Sequence, residues 1–564
     1  MCKEEQASRL IKEDLKPWLG SWPEGIRKSI PYPLIPLSDL LSLSAEKHSR
    51  NIALVYFDAR ITYRELESFA NRFANALINL GVKKGTRVAL FLPNIPAYII
   101  AFYGTLKAGA VVTPVCSLYK EGEVEHQLRD SGAEVVVALD LFYPILSNII
   151  SRTRLKTVII ASIKDYMPRL KSFLGTVLRK IPSCRVEPKP NIFFFREFID
   201  RNESRPPIVD INPKEDIAVL QYTGGTTGIA KGAMLTHYNL VSNTLMCAEW
   251  IGEHDDPAYL SILPLFHVYG MTTGLNAPLY YGARVVLFPI FNTRQVLRAI
   301  KKYRITVFCG VPTLYAKILS HPEWRKFDCS TLQYCISGSS SLPKDLQKQF
   351  MESVGGILVE GYGLSEASPI THCNPLVSNS ARFKTGSIGI PWPDTDAKIV
   401  DLEKGEKKLA PGEIGEIAVK GPQVMKGYWN RPQETAAVLR DGWLFTGDLG
   451  KMDEDGYFYF VDRKKDMIKC KGYSVYPKEL ETVIEEHPAV QLCCVTGKAD
   501  RMVGEVPKAF IVLREGFSVT EKELLDYVNA RVAQYKALQE IEFCAELPLT
   551  MIGKVNKAAL KKIE

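Results

Sequence analysis

The sequence predicts a layered α/β fold in two unequal parts, a large N-terminal domain over 1–461 and a small C-terminal domain over 462–564. Three observations carry this expectation. The 564 residues exceed what one hydrophobic core usually serves. Apolar runs that read as strands alternate with amphipathic stretches that read as helices, the pattern of a substantial parallel sheet. The charge-dense run Asp462-Arg463-Lys464-Lys465-Asp466 then separates this alternation from about a hundred residues with their own strand and helix pattern, enough for a second domain.

Taken in order, 87–92 reads as a strand, 96–106 as a helix and 110–115 as a strand. A helical 121–130 leads into a strand at 134–139. Over 166–181, Leu170, Phe173, Leu174, Val177, Leu178 and Ile181 recur at helical spacing, flanked by Arg169, Lys171, Arg179 and Lys180. A basic amphipathic helix of this kind can lie on a membrane surface or pack as a surface helix on its own domain, and Gly175 weakens it in either case. Residues 216–223 read as a buried strand, and Thr236 can cap a helix carrying Leu240, Val241, Leu245 and Ala248 on one face. Strands and turns are expected at 443–449 and 456–461. The small domain has strands at 492–496 and 508–513 and a helix over 521–534.

Composition narrows the class. With 46% hydrophobic and 24% charged residues the chain is an ordinary globular protein. A net charge of +8 suits contact with polyphosphates or with an anionic membrane and does not choose between them. Clustered basic tracts of the nucleic-acid type are missing; the nearest, Arg463-Lys464-Lys465, belongs to the run at the domain boundary. The 12 cysteines form no Cys-x-x-Cys pair, and adjacent Cys493 and Cys494 suit neither a zinc site nor an ordinary disulfide, so reduced thiols in the cytoplasm are expected. Residues 1–16 are charged and lack the apolar core of a signal peptide, and no apolar run reaches the ~20 residues that span a bilayer. The expectation is a soluble or at most peripheral protein.

The chemistry begins after the strand at 216–223, in Tyr222-Thr223-Gly224-Gly225-Thr226-Thr227-Gly228-Ile229-Ala230-Lys231-Gly232. Glycines let backbone N–H groups approach an anion, threonines add hydroxyl donors, and a lysine adds charge, which together make a phosphate cradle between a strand and a helix. The usual P-loop is excluded because no Gly-Lys-Ser/Thr triplet follows a glycine at the required distance.

This loop resembles the phosphate-binding loop of the adenylate-forming superfamily, which includes acyl-CoA synthetases, aryl-CoA ligases, luciferases and peptide-synthetase adenylation domains. Gly224 stands where Ser or Thr is usual and Ala230 where Pro is usual; the Gly-Gly, Ala-Lys form resembles the long-chain fatty-acyl ligases. The resemblance runs in order from about Leu37 to Lys562. It implies a large adenylation domain of several subdomains and a small, mobile α+β C-terminal domain.

Leu263-Pro264-Leu265-Phe266-His267-Val268-Tyr269-Gly270 resembles the segment lining the acyl pocket, which implies that His267 positions the substrate carboxylate. Ser337-Gly338-Ser339-Ser340-Ser341 resembles the loop against adenine, giving Gly338 and Ser339 as nucleotide contacts. In Glu360-Gly361-Tyr362-Gly363-Leu364-Ser365-Glu366 the resemblance implies that Tyr362 stacks on adenine, with Glu360 and Gly361 beside it. Ser365 would lie near the phosphates, and Glu366, with Thr223, would hold Mg²⁺. Trp443-Leu444-Phe445-Thr446-Gly447-Asp448-Leu449 resembles the ribose segment, with Asp448 on the hydroxyls. The run from Asp462 adds Arg463 and Lys469 as nucleotide contacts and Lys465 as the hinge, and Gly472 and Tyr473 would form the pantetheine tunnel. Leu547-Pro548-Leu549-Thr550-Met551-Ile552-Gly553-Lys554 resembles the catalytic-lysine loop, with Ile552 where Ser is common.

The implied catalytic residues are therefore Lys554, His267 and Glu366. Thr223, Gly224, Gly225, Thr226, Thr227, Gly228 and Lys231 would cradle phosphates. The implied activity is that of a long- or medium-chain fatty acid–CoA ligase, with ATP and CoA as co-substrates, Mg²⁺ as cofactor and AMP and pyrophosphate as products. The protein would be a monomer or homodimer, with peripheral membrane contact through 166–181 as a further expectation. An aryl or 4-coumarate-type CoA ligase and a non-catalytic acyl-binding or lipid-uptake protein are the alternatives. Intact Glu366 and Lys554 argue against the non-catalytic one.

Overall fold

The computed structural model describes residues 16–178, 181–223, 230–252, 255–376, 383–470, 473–500, 504–549 and 555–560. Among them lie four sheets. The first has eight strands in the order Gly427–Tyr428, Lys231–Thr236, Ile217–Thr223, Val111–Pro114, Arg87–Phe91, Val135–Leu139, Thr157–Ala161 and Ile192–Phe194. Its central pairings are parallel, as the alternation requires. The second has nine strands; Ala258–Ser261, Val307–Gly310, Tyr334–Ser337 and Ile357–Gly363 form its parallel run toward the site.

Two helices of the core are almost wholly out of solvent. All of Pro96–Lys107 is buried, as is nearly all of His237–Ile251. A helix apolar all round must be covered on every side. Pro96–Lys107 is tied to the second half of the core by its own polar groups: Tyr98 Oη donates to the Leu265 carbonyl at 2.9 Å and Tyr103 Oη to Asn276 Oδ1 at 2.9 Å. His237–Ile251 starts at the expected cap, where Thr236 Oγ1 accepts from Asn239 N–H and Asn239 Oδ1 from Thr236 N–H.

A third, antiparallel sheet contains Asp396–Val400, Gly415–Lys420 and Trp443–Met452, with Phe458–Arg463 paired to the last. Beyond it, Ile468–Cys470, Tyr473–Val475, Val490–Asp500, Gly504–Leu513 and Glu540–Phe543 make a fourth sheet. That sheet closes over its own core, in which Ile468, Val475, Leu480, Val495, Ile511 and Leu524 are buried.

Three local expectations change. The phosphate loop does not run from a strand into a helix: Ile217–Thr223 and Lys231–Thr236 are antiparallel neighbours, so the loop closes a hairpin and the helix follows one strand later. The chain that leaves the loop at Lys231 therefore enters a strand and not a helix N-terminus. The 166–181 helix is Arg169–Val177 among the described residues, because Pro168 occupies its N-cap and Tyr166 is pulled into the core against Phe69 and Arg196. Its apolar side chains stay in solvent: Leu170 is 70%, Phe173 65% and Val177 62% exposed, so it does not bury an apolar face on its own domain. The 521–534 helix ends at Asn529, whose side chain exchanges two hydrogen bonds with the Leu538 backbone and turns the chain back.

Candidate active site

Thr223 and Lys231 are direct cross-strand partners at the two ends of the loop. The loop's Gly224, Gly225, Thr226, Thr227 and Gly228 lie outside the described residues. Packing is tight at Gly232: a Cβ there would meet the Tyr222 ring at 3.2 Å. The Tyr222 hydroxyl reaches past it to donate to Asp130 Oδ2 at 2.7 Å, and His126 Nε2 lies 3.3 Å from the Ala230 carbonyl oxygen. The base of the loop is thus pinned to the helix Glu121–Ser131.

Strands Tyr334–Ser337 and Ile357–Gly363 are parallel, with Ser337 opposite Glu360. Gly338 and Ser339 therefore emerge beside Gly361 and Tyr362 at the carboxyl ends of adjacent strands, the edge where open α/β sheets take ligands. A Cβ at 338 would meet the Tyr269 ring at 3.1 Å, and Ser339 sits at φ +73° with its buried hydroxyl lacking a hydrogen-bond partner. Tyr362 Oη donates to Asp448 Oδ2 at 2.6 Å. Arg463, cross-strand partner of Asp448, places its Nε 3.4 Å from Asp448 Oδ1. Tyr362, Asp448 and Arg463 are brought together from three separate strands.

Ser365 and Glu366 form a short 3₁₀ turn directly after this strand. Glu366 is held at both ends: its Oε1 accepts from Tyr428 Oη at 2.7 Å, and its carbonyl oxygen accepts from Met425 N–H at 2.8 Å. Burial raises its pKa, and the Tyr428 hydrogen bond opposes that rise. Lys231 Nζ lies over the same Tyr428 ring, 5.6 Å from the centroid. Neither Tyr428 nor Asp130 is singled out by motif or spacing.

Glu360 is buried and takes only a neutral backbone donor in its hydrogen bond, Leu342 N–H to Oε2 at 3.1 Å. Burial pushes its carboxyl up to about 8. A raised carboxyl favours the fold when protonated, so its contribution is full below the unfolded value near ~4.3 and is lost as pH rises through about 8. Glu360→Gln should remove this slope. Melting temperatures of wild type and variant between pH 5 and pH 9 should diverge in the variant's favour as pH rises, and parallel curves would contradict the burial argument.

His267 caps the short helix Val268–Met271, its Nδ1 accepting from Tyr269 N–H at 3.2 Å. Lys465 follows Lys464, whose N–H donates to the Gly447 carbonyl at 2.9 Å and whose Nζ pairs with Glu416 at 2.8 Å. Lys469 lies on the small sheet, its N–H donating to Glu505 at 3.0 Å. Tyr473 is 58% exposed and stacks on Tyr535 at 4.7 Å. Gly472 and Lys554 lie outside the described residues. The chain on either side of Lys554 is paired, Leu549 bridging Val555 and Asn556 N–H donating to the Pro548 carbonyl at 2.7 Å. Nearby Lys557 is occupied: its Nζ is 3.1 Å from Glu481 Oε1, and Glu481 and Asp462 outweigh burial to raise its pKa.

Comparison with known proteins identifies the family. The AMP-binding enzyme family model matches residues 41–429, and the model for the AMP-binding enzyme C-terminal domain matches 479–554. The long-chain-fatty-acid–CoA ligase of Bacillus subtilis (strain 168) is 44% identical over 553 residues, covering 97% of this chain and 98% of its own. The long-chain-fatty-acid–CoA ligase of Salmonella typhimurium is 36% identical, again covering 97% of this chain and 98% of its own. Among solved structures, ATP-bound MatB from Rhodopseudomonas palustris superposes with a TM-score of 0.83 at 28% identity, over 94% of this chain and 99% of that one. Matched across both domains by sequence and by fold, the chain belongs to the AMP-binding enzyme family.

Proposed function

We propose that the protein joins a long- or medium-chain fatty acid to coenzyme A in an ATP-dependent reaction that passes through an acyl-adenylate. The observation that carries this reading is the convergence of Tyr362, Asp448 and Arg463 on one side with Lys231 and Glu366 on the other, at the carboxyl edge of the parallel strands. The first group suits a nucleoside, the second its phosphates.

A carboxylate is a poor electrophile because it has no good leaving group. In the first step its oxygen bonds to the α-phosphorus of ATP, the bond from that phosphorus to the bridging oxygen breaks, and pyrophosphate leaves with the electron pair. Two anions must meet, and unit charges ~4 Å apart repel by roughly 4 kcal/mol at an effective dielectric near ~20. Fixed cations offset this only if they are in place beforehand. Lys231 at the loop and Lys554 from the small domain supply them, the backbone donors of 224–228 complete the cradle, and His267 orients the fatty carboxylate. Tyr362, Gly338 and Ser339 take the adenine, with Glu360 and Gly361 behind them. Asp448 and Arg463 take the ribose, Ser365 lies at the phosphates, and Lys469 closes over them.

Glu366 fits a magnesium site: it is a half-buried, hard carboxylate donor whose charge a cation would stabilise. Among the described residues no group of three or more His, Cys, Asp or Glu could hold a metal ion by itself; Thr223, phosphate and water oxygens would complete the shell around an ion at Glu366. Bound magnesium would neutralise phosphate charge. In the second step the CoA sulfur bonds to the acyl carbon, the carbon–oxygen bond to AMP breaks, and the thiol proton is released. No protein nucleophile is needed, and burial pushes thiols such as Cys309 up to about 12.

The two steps need different faces of the small domain, which we place at 462–564. Rotation about Lys465 would withdraw Lys554 and bring Gly472 and Tyr473 to the pantetheine chain. Lys465→Pro removes a backbone donor and fixes φ near ~−65°. It should leave pyrophosphate release from ATP and fatty acid intact while thioester formation falls; equal retention of both would count against the hinge.

The exposed apolar row of Arg169–Val177 gives a peripheral membrane contact its surface. Phe173→Asp should abolish cosedimentation with anionic vesicles, and unchanged cosedimentation would exclude this helix. No helix among the described residues is long and apolar enough to cross a membrane.

Substrate class is tested by a panel from acetate to palmitate, with 4-coumarate included, scored for ATP- and CoA-dependent thioester. Turnover should rise with chain length. Turnover on 4-coumarate alone would replace the fatty acid with an aryl acid, and none on any acid would leave the non-catalytic alternative.

A further inference from the structure

We infer that Tyr428 is a positioning residue for the phosphate site, keeping Lys231 and Glu366 apart and aligned. The inference rests on the adenylation reading above and assigns a part to a residue outside its motifs. Tyr428 touches both groups with different atoms. Its hydroxyl donates to Glu366 Oε1 at 2.7 Å, and its ring lies under the Lys231 ammonium at 5.6 Å. A carboxylate and an ammonium this close to one ring would otherwise be free to pair with each other, and each would be lost to the phosphates. The aromatic ring satisfies the cation through its face and the anion through its edge hydroxyl, so both charges stay available.

The ring is itself held. Gly427–Tyr428 forms the edge strand against Lys231–Thr236, with Tyr428 opposite Ala233. Tyr428 N–H donates to Thr435 Oγ1 at 2.9 Å, and the next residue's N–H donates to the Gly232 carbonyl at 2.8 Å. Downstream, Arg431 places Nη2 2.9 Å from Asp130 Oδ1, the carboxylate that also anchors Tyr222 at the start of the loop. One segment thus ties the metal carboxylate, the loop lysine and the loop base to each other.

The two contacts are separable by mutation. Tyr428→Phe keeps the ring and removes the hydroxyl; Tyr428→Leu removes both. ATP binding to the full-length protein is measured by calorimetry, in EDTA and across a MgCl₂ titration. For Y428F the Mg²⁺ concentration for half-maximal ATP binding should rise by about tenfold, the scale of one hydrogen bond to a charged group, while affinity in EDTA stays within about twofold. Y428L should weaken binding in EDTA as well, because Lys231 loses its platform. In an E366A background Y428F should add nothing to the Mg²⁺ requirement, a coupling that a merely structural tyrosine would not show. Y428F indistinguishable from wild type, or equally weakened with and without Mg²⁺, would overturn the assignment while leaving the adenylation reading standing. Wild-type protein that binds no ATP under any condition would overturn that reading instead. If Y428F does not fold, the comparison of Y428L with E366A/Y428L reads the same coupling.

Discussion

Lys554→Ala is expected to slow acyl-adenylate formation by about 10²–10³-fold, the scale for removing one preorganised group that meets charge developing in a transition state. Transfer of a synthetic acyl-adenylate to CoA should remain within about twofold of wild type, because the proposed second step uses the other face of the small domain. Single-turnover measurement of each half-reaction separates the two. Equal loss in both halves would mean that the substitution damages the small domain as a whole. Lys557, three residues on, is the internal control. It is committed to Glu481 and lies near Asp462, so Lys557→Ala should lower stability and leave the ratio of the two half-reactions unchanged.

Glu366→Gln is the second large effect. The amide keeps the shape and can still accept from Tyr428, but it carries no charge for a divalent cation. Adenylation should fall by about 10²–10³-fold at saturating ATP, and raising Mg²⁺ should recover little of it. Full recovery at high Mg²⁺ would place the ion on phosphate and water oxygens alone. The variant also loses a half-buried charge that desolvation disfavours, so its melting temperature should hold or rise. A loss of activity accompanied by a gain in stability marks a residue kept for chemistry.

Much of this site is legible in the sequence because its parts are local. Thr223 and Lys231 stand in a run whose composition points to phosphate, and Tyr362, Glu366, Asp448 and Arg463 each stand in a short motif that resembles one of the family's. The strands that carry Ser337 and Glu360 are not among the elements read from alternation; their parallel pairing comes from the structure. What stays hidden depends on pairing between distant segments. Tyr428 is 62 positions from Glu366 in sequence, and Asp130 is about 300 from Arg431 and Trp429; neither relation leaves a periodic trace. The hairpin at the phosphate loop escapes the sequence for the same reason. Lys231–Thr236 is short, and only its register with Ile217–Thr223 makes it a strand. The helix Arg169–Val177 shows the opposite limit. Its periodicity is real, but periodicity says that a face is apolar and not what covers it.

An ¹⁸O label reports whether the fatty carboxylate itself attacks the α-phosphate of ATP. The acid is supplied with both carboxylate oxygens as ¹⁸O, together with MgATP and CoA, and the nucleotide product is weighed. AMP carrying one ¹⁸O is expected, formed one-for-one with acyl-CoA and unlabelled pyrophosphate. ADP as product, or AMP without label, would contradict it.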